Sequence, residues 1–278
     1  RTQAVRAVQR IFEGIATGFQ IDAPALQTTV LQLIDSTTAH CSAMMRLVCL
    51  QQLERVDNNL YAHCVDVAVM ALIVGIERGL PQADLEALAT GALLHDVGKI
   101  RLPANLVRKG DGQTEAERTL LEFHPSLGIA ALAQTEELPE PIFRIILEHH
   151  ELLDGSGFPS HHVAEHIFPL AQIVGVVDLY DTLSTSRGGR PAFPPTQAVS
   201  QLYQLALQGK FDRSLVEQLI YCLGVYPIGS LVELNTGELA VVMALNPQSR
   251  MKPTVKIVQD QRGKRLESPR VLDLSHED

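Results

Sequence analysis

The chain has no tryptophan, and aromatic residues make up only 5% of its 278 positions. Any core must therefore be aliphatic, and at 46% hydrophobic the chain can bury a sizeable one from Leu, Ala, Val and Ile. Cysteine is scarce. Cys41, Cys49, Cys64 and Cys222 form no CxxC pair, which excludes a disulfide framework and points to reduced thiols in a cytoplasmic protein. Basic residues are outnumbered 23 to 32, giving a net charge of −9. That balance argues against a broad grip on a nucleic acid polymer but leaves room for a local basic pocket that takes a small phosphate ligand. Neither a signal peptide nor an apolar run of membrane-spanning length is evident. Position 1 is Arg rather than Met, so the chain is read as part of a longer protein whose preceding portion would carry a sensor or an anchor. Its length allows one large domain, or a domain with an appendage.

The pattern is helical through most of the chain. Residues 1–55 form a helical lead-in: an amphipathic stretch from Arg1 to Phe19, then an N-cap and early proline at Asp22-Ala-Pro24 opening a helix toward Glu54. Its apolar stripe is expected to pack on the rest of the chain or on a second copy, making a homodimer. Residues 56–225 read as a helical bundle. Helices are expected over Ala62–Arg78 (stopped by Gly79-Leu-Pro81), Gln82–His95, Thr114–Gln134 with a capping box at Thr114 and Glu117, Pro141–Glu151, Phe168–Ser186, Pro195–Leu207 and Asp212–Leu223. From Tyr226 the character changes to alternation. Runs at Ser230–Leu234 and Glu238–Met243 flank a turn at Asn235-Thr-Gly237, and a third run covers Thr254–Gln259. Residues 226–278 are therefore expected to be a small β-rich appendage on a mainly α protein.

Chemistry concentrates in the middle. His63, His95-Asp96, His124, His149-His150 and Asp178 are seven groups of the kind that ligate divalent cations, too many for one ion and about right for two. Neighbours such as His95 and Asp96 point apart on a regular helix. They converge on one centre only where the backbone departs from helical geometry, which Gly98 permits, or they serve different metals. Taken alone, the pair also fits a histidine at a helix C-terminus followed by a turn aspartate. Two histidines at the end of a helix made apolar by Ile142, Ile145, Ile146 and Leu147, and a carboxylate after Ile173-Val-Gly-Val-Val177, are costly to bury without partners. His40, His161, His162, His166 and His276 read as ordinary surface histidines.

Together these residues resemble the HD superfamily of metal-dependent phosphohydrolases, through His63, His95-Asp96 and Asp178. The added His124, His149-His150 and the segment His150-Glu-Leu-Leu-Asp-Gly-Ser-Gly-Phe-Pro159 are similar to its HD-GYP subfamily of bacterial cyclic di-GMP phosphodiesterases. The likeness runs from Asn58 to Val225, with matching segments at Leu93–Ile100, Glu122–Pro125 and Asp178–Leu183. The run Leu223–Leu234 resembles the tail of one branch.

The resemblance implies an HD-type bundle with His63, His95, Asp96, His124, His149, His150 and Asp178 as metal ligands, Asp96 bridging. The metals would be iron or manganese. A third ion in some members uses a Glu one turn before the first His; here that position is Asn59, so two ions are expected. A hydroxide shared by the two cations would attack phosphorus, converting cyclic di-GMP to pGpG, with GMP as a further product. Asp96 and Lys99 would be catalytic, Lys99 also touching a phosphate oxygen. Arg187 and Arg190 would clamp the distal phosphate or guanine, unless they form a solvated basic loop. Asp154, Gly155 and Gly157 would shape the substrate side, and the Gly155–Pro159 loop would engage signalling proteins such as a diguanylate cyclase. The chain departs from the family pattern at Phe158 (Tyr in the family), Leu152 (Arg) and Gly188-Gly189. These bear on substrate affinity and turnover; the rivals are a slow metal-holding sensor of cyclic di-GMP and a phosphohydrolase for another nucleotide.

Overall fold

The computed structural model describes residues 1–54, 59–133, 135, 138–186, 188–246, 249 and 251–276. The chain is mainly α with a small C-terminal sheet. The first helix, α1 (Thr2–Ala16), buries Ala4, Val8, Ile11, Phe12 and Ile15 along one stripe. The second, α2 (Ala23–Ala39), is capped by Asp22, whose carboxylate accepts from Ala25 N at 3.0 Å. The expected single helix from Asp22 to Glu54 is instead two, since α2 gives way to α3 (Cys41–Glu54) at His40, which sits at φ −139 and ψ 43. Ser36-Thr37-Thr38 just before the break are weak helix formers. The break lets α2 lie on α4 and α5 while α3 lies on α4 and α10. The lead-in packs on the rest of the chain, its buried residues belonging to the main core.

The centre of that core is α4 (Leu60–Glu77), buried from Ala62 to Gly75 and flanked by α1, α2, α3, α5, α10 and α12. By length and composition α4 is apolar enough to cross a membrane, contrary to the expectation from sequence, though 78% of it is buried inside the protein. It ends as anticipated at Gly79, φ +70, where Leu80 N donates to Gly75 O and Gly79 N to Ile76 O. Next come α5 (Gln82–Leu94), a 3-10 turn at Val97–Arg101, α6 (Ala104–Arg108), α7 (Glu115–Glu122) with the full Thr114/Glu117 capping box, α8 (His124–Leu132), α9 (Glu140–Glu148), α10 (Pro169–Ser184), α11 (Pro195–Leu207) and α12 (Arg213–Leu223). Two expected helices are shorter than their apolar patterns. The one from Thr114 divides at Phe123, and the one from Pro141 stops at Glu148.

The C-terminal strands β1 (Leu231–Glu233), β2 (Leu239–Ala244), β3 (Thr254–Gln259) and β4 (Arg265–Asp273) form an antiparallel meander in that order. Ala240, Val242, Val255 and Ile257 give it a small core of its own. The strand β4 escapes sequence reading because Arg265-Leu-Glu-Ser-Pro-Arg-Val-Leu-Asp273 is polar and holds a proline. As an exposed edge strand it tolerates both.

Candidate metal centre

The bundle brings all seven expected ligands together. The ligand atoms of Asp96, His124, His149 and His150 lie within 4.8 Å of one another, as do those of His63, His95 and Asp178. They come from the first turn of α4, the end of α5, the α7–α8 junction, the end of α9 and the middle of α10. All except His150 are buried.

Glycines set the approach of these elements. A Cβ on Gly98 would stand 1.9 Å from His124 O and 2.5 Å from Gly128 N, so only glycine lets the 3-10 turn lie against α8. A Cβ on Gly175 would stand 2.3 Å from His149 O, which sets how closely α10 approaches the end of α9.

Four rings share one orientation rule. Nδ1 of His95 bonds Ala92 O at 2.7 Å, Nδ1 of His124 bonds Leu121 O at 2.7 Å, and Nδ1 of His149 bonds Ile146 O at 2.9 Å. Nδ1 of His63 bonds Asp181 Oδ2 at 2.6 Å. Carbonyls and carboxylates only accept, so each Nδ1 carries a proton, and in its neutral, metal-binding form each ring turns its Nε2 lone pair to the centre. The consequence is an arrangement that is unfavourable without a cation. Nε2 of His124 and Nε2 of His149 face each other at 3.4 Å. Nε2 of His95 is buried without a hydrogen-bond partner among the described residues. Imidazoles held this way by second partners are the usual form of metal-binding histidine.

Asp96 divides its two oxygens. Oδ1 lies 3.2 Å from His124 Nε2, while Oδ2 lies 3.5 Å from both His63 Nε2 and His95 Nε2 and 2.6 Å from Lys99 Nζ. Asp178 spans similarly, with Oδ1 2.9 Å from His63 Nε2 and Oδ2 3.9 Å from His150 Nδ1. Protonation states suit cations. Burial opposes the Asp96 charge, but Lys99, His95 and His124 hold the carboxyl well below its ordinary range. Burial likewise opposes the Asp178 charge, which His63, His150 and His95 overcome. Desolvation lowers His95 and, with His150, His95 and His124 adding, lowers His149 far more. His150 is pushed down to about 3 by desolvation and by His124. Cys64 also adjoins His95 and Asp96, but burial raises its thiol well above the ordinary value.

The remaining expected residues lie around this cluster. Lys99 is in the 3-10 turn with its amine on Asp96. Asp154 accepts from the backbone and hydroxyl of Ser156 and pairs with Val163, folding the loop. Gly155 has φ +78, and a Cβ on Gly157 would stand 2.3 Å from Leu152 N and 2.5 Å from His150 O. That loop sets the Phe158 ring on His150, centroids 4.5 Å apart. Arg187 lies outside the described residues. Arg190 donates to Thr182 O at 2.7 Å and lies over Phe193, so the structure ties it to the C-terminal turn of α10. Two contributors were not singled out from sequence. Asp181, which orients His63, lies three residues after Asp178 and so on the same helical face, a usable signal. Glu151 accepts from Ser160 N at 2.6 Å and His162 N at 2.9 Å, holding the loop against the end of α9.

Residues 29–215 match the sequence profile of the HD domain. The chain belongs to the HD domain family. Residues 231–278 match a KOW domain associated with HD domains. The chain is 28% identical over 273 residues to the cyclic di-GMP phosphodiesterase PA4108 of Pseudomonas aeruginosa, an alignment covering 98% of this chain and 65% of that protein. It is 33% identical over 153 residues to the cyclic di-GMP phosphodiesterase response regulator RpfG of Xanthomonas campestris, covering 54% of this chain and 40% of that one. The chain thus spans less than two thirds of the length of these curated relatives. Among solved structures, Bd1817, an HDG"Y"P protein of Bdellovibrio bacteriovorus, superposes with a TM-score of 0.64 at 20% identity, over 78% of this chain and 68% of that one. That likeness is one of fold.

Proposed function

We propose that this HD domain protein is a metal-dependent phosphodiesterase of the HD-GYP kind, opening cyclic di-GMP to linear pGpG and then to GMP in bacterial second-messenger signalling. The observation that carries the reading is Asp96, whose two oxygens turn to two separate histidine sets. The names of the relatives supply the substrate class. In this reading His63, His95 and Asp178 would hold one divalent cation and His124, His149 and His150 another, with Asp96, which faces both sets, serving both. Imidazole and carboxylate donors suit iron or manganese. Asn59 supports two ions over three, because its side chain is the N-cap of α4, accepting from Ala62 N at 3.0 Å. Bound cations supply a lowered water pKa and neutralise phosphoryl charge.

The chain's own residues do the rest. The three helix-end carbonyls and Asp181 hold the imidazoles in the tautomer that faces the centre. Lys99 supplies a fixed positive charge beside Asp96, available to a phosphoryl oxygen as charge builds there. Asp154, Gly155 and Gly157 shape the loop that sets Phe158 against His150. The ring that replaces the family's tyrosine keeps that packing and lacks only the hydroxyl. With Arg190 tied to α10, Lys99 takes the phosphate role and Arg187 remains the proposed distal clamp. The same reading places the chain in the cytoplasm, divides it at residues 55/56 and 225/226, lets the Gly155–Pro159 loop meet a diguanylate cyclase, and pairs chains through the lead-in helices.

Protein loaded anaerobically with Fe(II) or Mn(II) and incubated with cyclic di-GMP should yield pGpG by chromatography. Metal bound by elemental analysis without pGpG would refute the enzyme reading. It would favour the slow sensor that Phe158 and the tied Arg190 suggest.

A further inference from the structure

The lead-in helix α3 supplies none of the seven centre residues, yet one of its side chains reaches the centre through two hydrogen bonds. Gln52 is buried, and its Nε2 donates to Asp181 Oδ1 at 2.8 Å. Asp181, fully buried on α10, accepts from His63 Nδ1 at 2.6 Å through its other oxygen. His63 Nε2 then faces Asp178 Oδ1 at 2.9 Å. A carboxylate fixed through one oxygen still swings about its terminal torsion. A donor on each oxygen fixes its plane, and with it the imidazole it holds. The neighbouring Gln51 accepts from Arg1 Nη1 at 2.7 Å, and Arg1 pairs with buried Asp66 on α4, three residues beyond His63. The lead-in is thus tied to α4 through Arg1 and Asp66, and to α10 through Gln52 and Asp181.

We infer that Gln52 is a positioning residue for the His63 half of the centre. By holding Asp181 it fixes the tautomer and ring plane of His63, and so sets how tightly that half holds its cation. The inference rests on the metal reading above. It makes α3 part of the centre's scaffold and gives a movement of the lead-in helices a physical path to one of the two ion sites.

The test titrates Mn(II) by calorimetry into the wild-type chain, Gln52→Met (the donor removed at similar length) and Gln52→Glu (a second carboxylate against Asp181). The ring 15N tautomer signals of the metal-free proteins are recorded alongside. Affinity at one of two sites should fall about 10- to 100-fold while the other stays within about 2-fold. In Gln52→Met, His63 should lose its exclusive Nδ1–H signal. Wild-type affinity at both sites in folded variants, or equal weakening of both, would overturn the inference, equal weakening being the mark of a merely structural role. Should position 52 tolerate no replacement, Asp181→Asn decides the matter: one-site loss supports the inference and unchanged binding overturns it. If the wild-type chain binds no Mn(II), the metal reading fails, and the tautomer signals alone decide. Identical His63 signals in wild type and Gln52→Met would then overturn the positioning role.

Discussion

Replacing Gly98 by alanine tests whether backbone proximity builds the centre. The added Cβ would stand 1.9 Å from His124 O, 2.5 Å from Gly128 N and 2.9 Å from His124 C. All three are backbone atoms, so no side chain can rotate out of the way. The 3-10 turn and α8 must separate by at least about 1 Å, since a packed interior has no slack to absorb the methyl group. Overpacking of this kind costs about 3 kcal/mol, and in a chain of this size that lowers the melting temperature by about 6 °C. The same displacement separates Asp96 Oδ1 from His124 Nε2, now 3.2 Å apart, and a misplacement near 1 Å lowers turnover about 100-fold. Gly112→Ala is the control. A Cβ there meets nothing within 4 Å, so stability should stay within about 0.5 kcal/mol. Melting curves, bound metal and cyclic di-GMP turnover are measured on both. A Gly98→Ala protein with wild-type melting and turnover would refute the argument that this contact sets the distance between Asp96 and His124.

Four further outcomes follow from the same geometry. Asp96→Ala should abolish cyclic di-GMP hydrolysis measured by chromatography, because it removes the carboxylate that faces both histidine sets; undiminished activity would refute the assigned centre. Lys99→Met should leave bound metal unchanged while lowering kcat about 100-fold, a split seen by combining elemental analysis with steady-state kinetics. Asp22→Ala should destabilise the chain by about 1 kcal/mol through loss of the α2 cap, read from denaturant melts, with turnover unaffected. Asp212 has its carboxyl held below the ordinary range by the Ser214 hydroxyl and, against burial, by Leu215 N–H. It therefore stabilises α12 at neutral pH and loses that contribution as pH falls through its folded value, so Asp212→Asn should flatten the acid side of the stability profile.

The helical class, the C-terminal change to strands, the caps at Asp22 and Thr114 and the seven centre residues are all legible in the sequence. Each has a local signature: apolar spacing, capping chemistry, or a titratable group in an apolar run. Three things are not legible. The break at His40 depends on where α2 and α3 each find a surface to pack on. The strand β4 is an edge with little to bury. The anchoring of Arg190 on Thr182 O depends on how the chain turns after α10, which two glycines between arginines do not specify.

The boundaries that apolar pattern misplaces most tellingly coincide with the centre. Periodicity carries one helix through His124 and another through His149 and His150, yet α7 ends at Glu122 and α9 at Glu148. A helix leaves its last four carbonyls without intrahelical donors. The ring of His149, just past the end of α9, donates Nδ1–H to one such carbonyl, Ile146 O; His124 does the same to Leu121 O, and His95 to Ala92 O at the end of α5. Three helix-end carbonyls, of which Leu121 O also accepts a backbone N–H, thereby set three imidazoles in one tautomer, by a single local geometry found where a helix ends. His63 confirms the rule by exception. It lies in the first turn of α4, where the preceding carbonyls accept from the helix itself, as Asn59 O does from His63 N at 3.0 Å. Its proton must find an acceptor elsewhere, and Asp181 from α10 provides it. The helix ends thus fall where these histidine rings find their carbonyl acceptors, and a hydrophobic pattern, which records only what is buried, cannot show them.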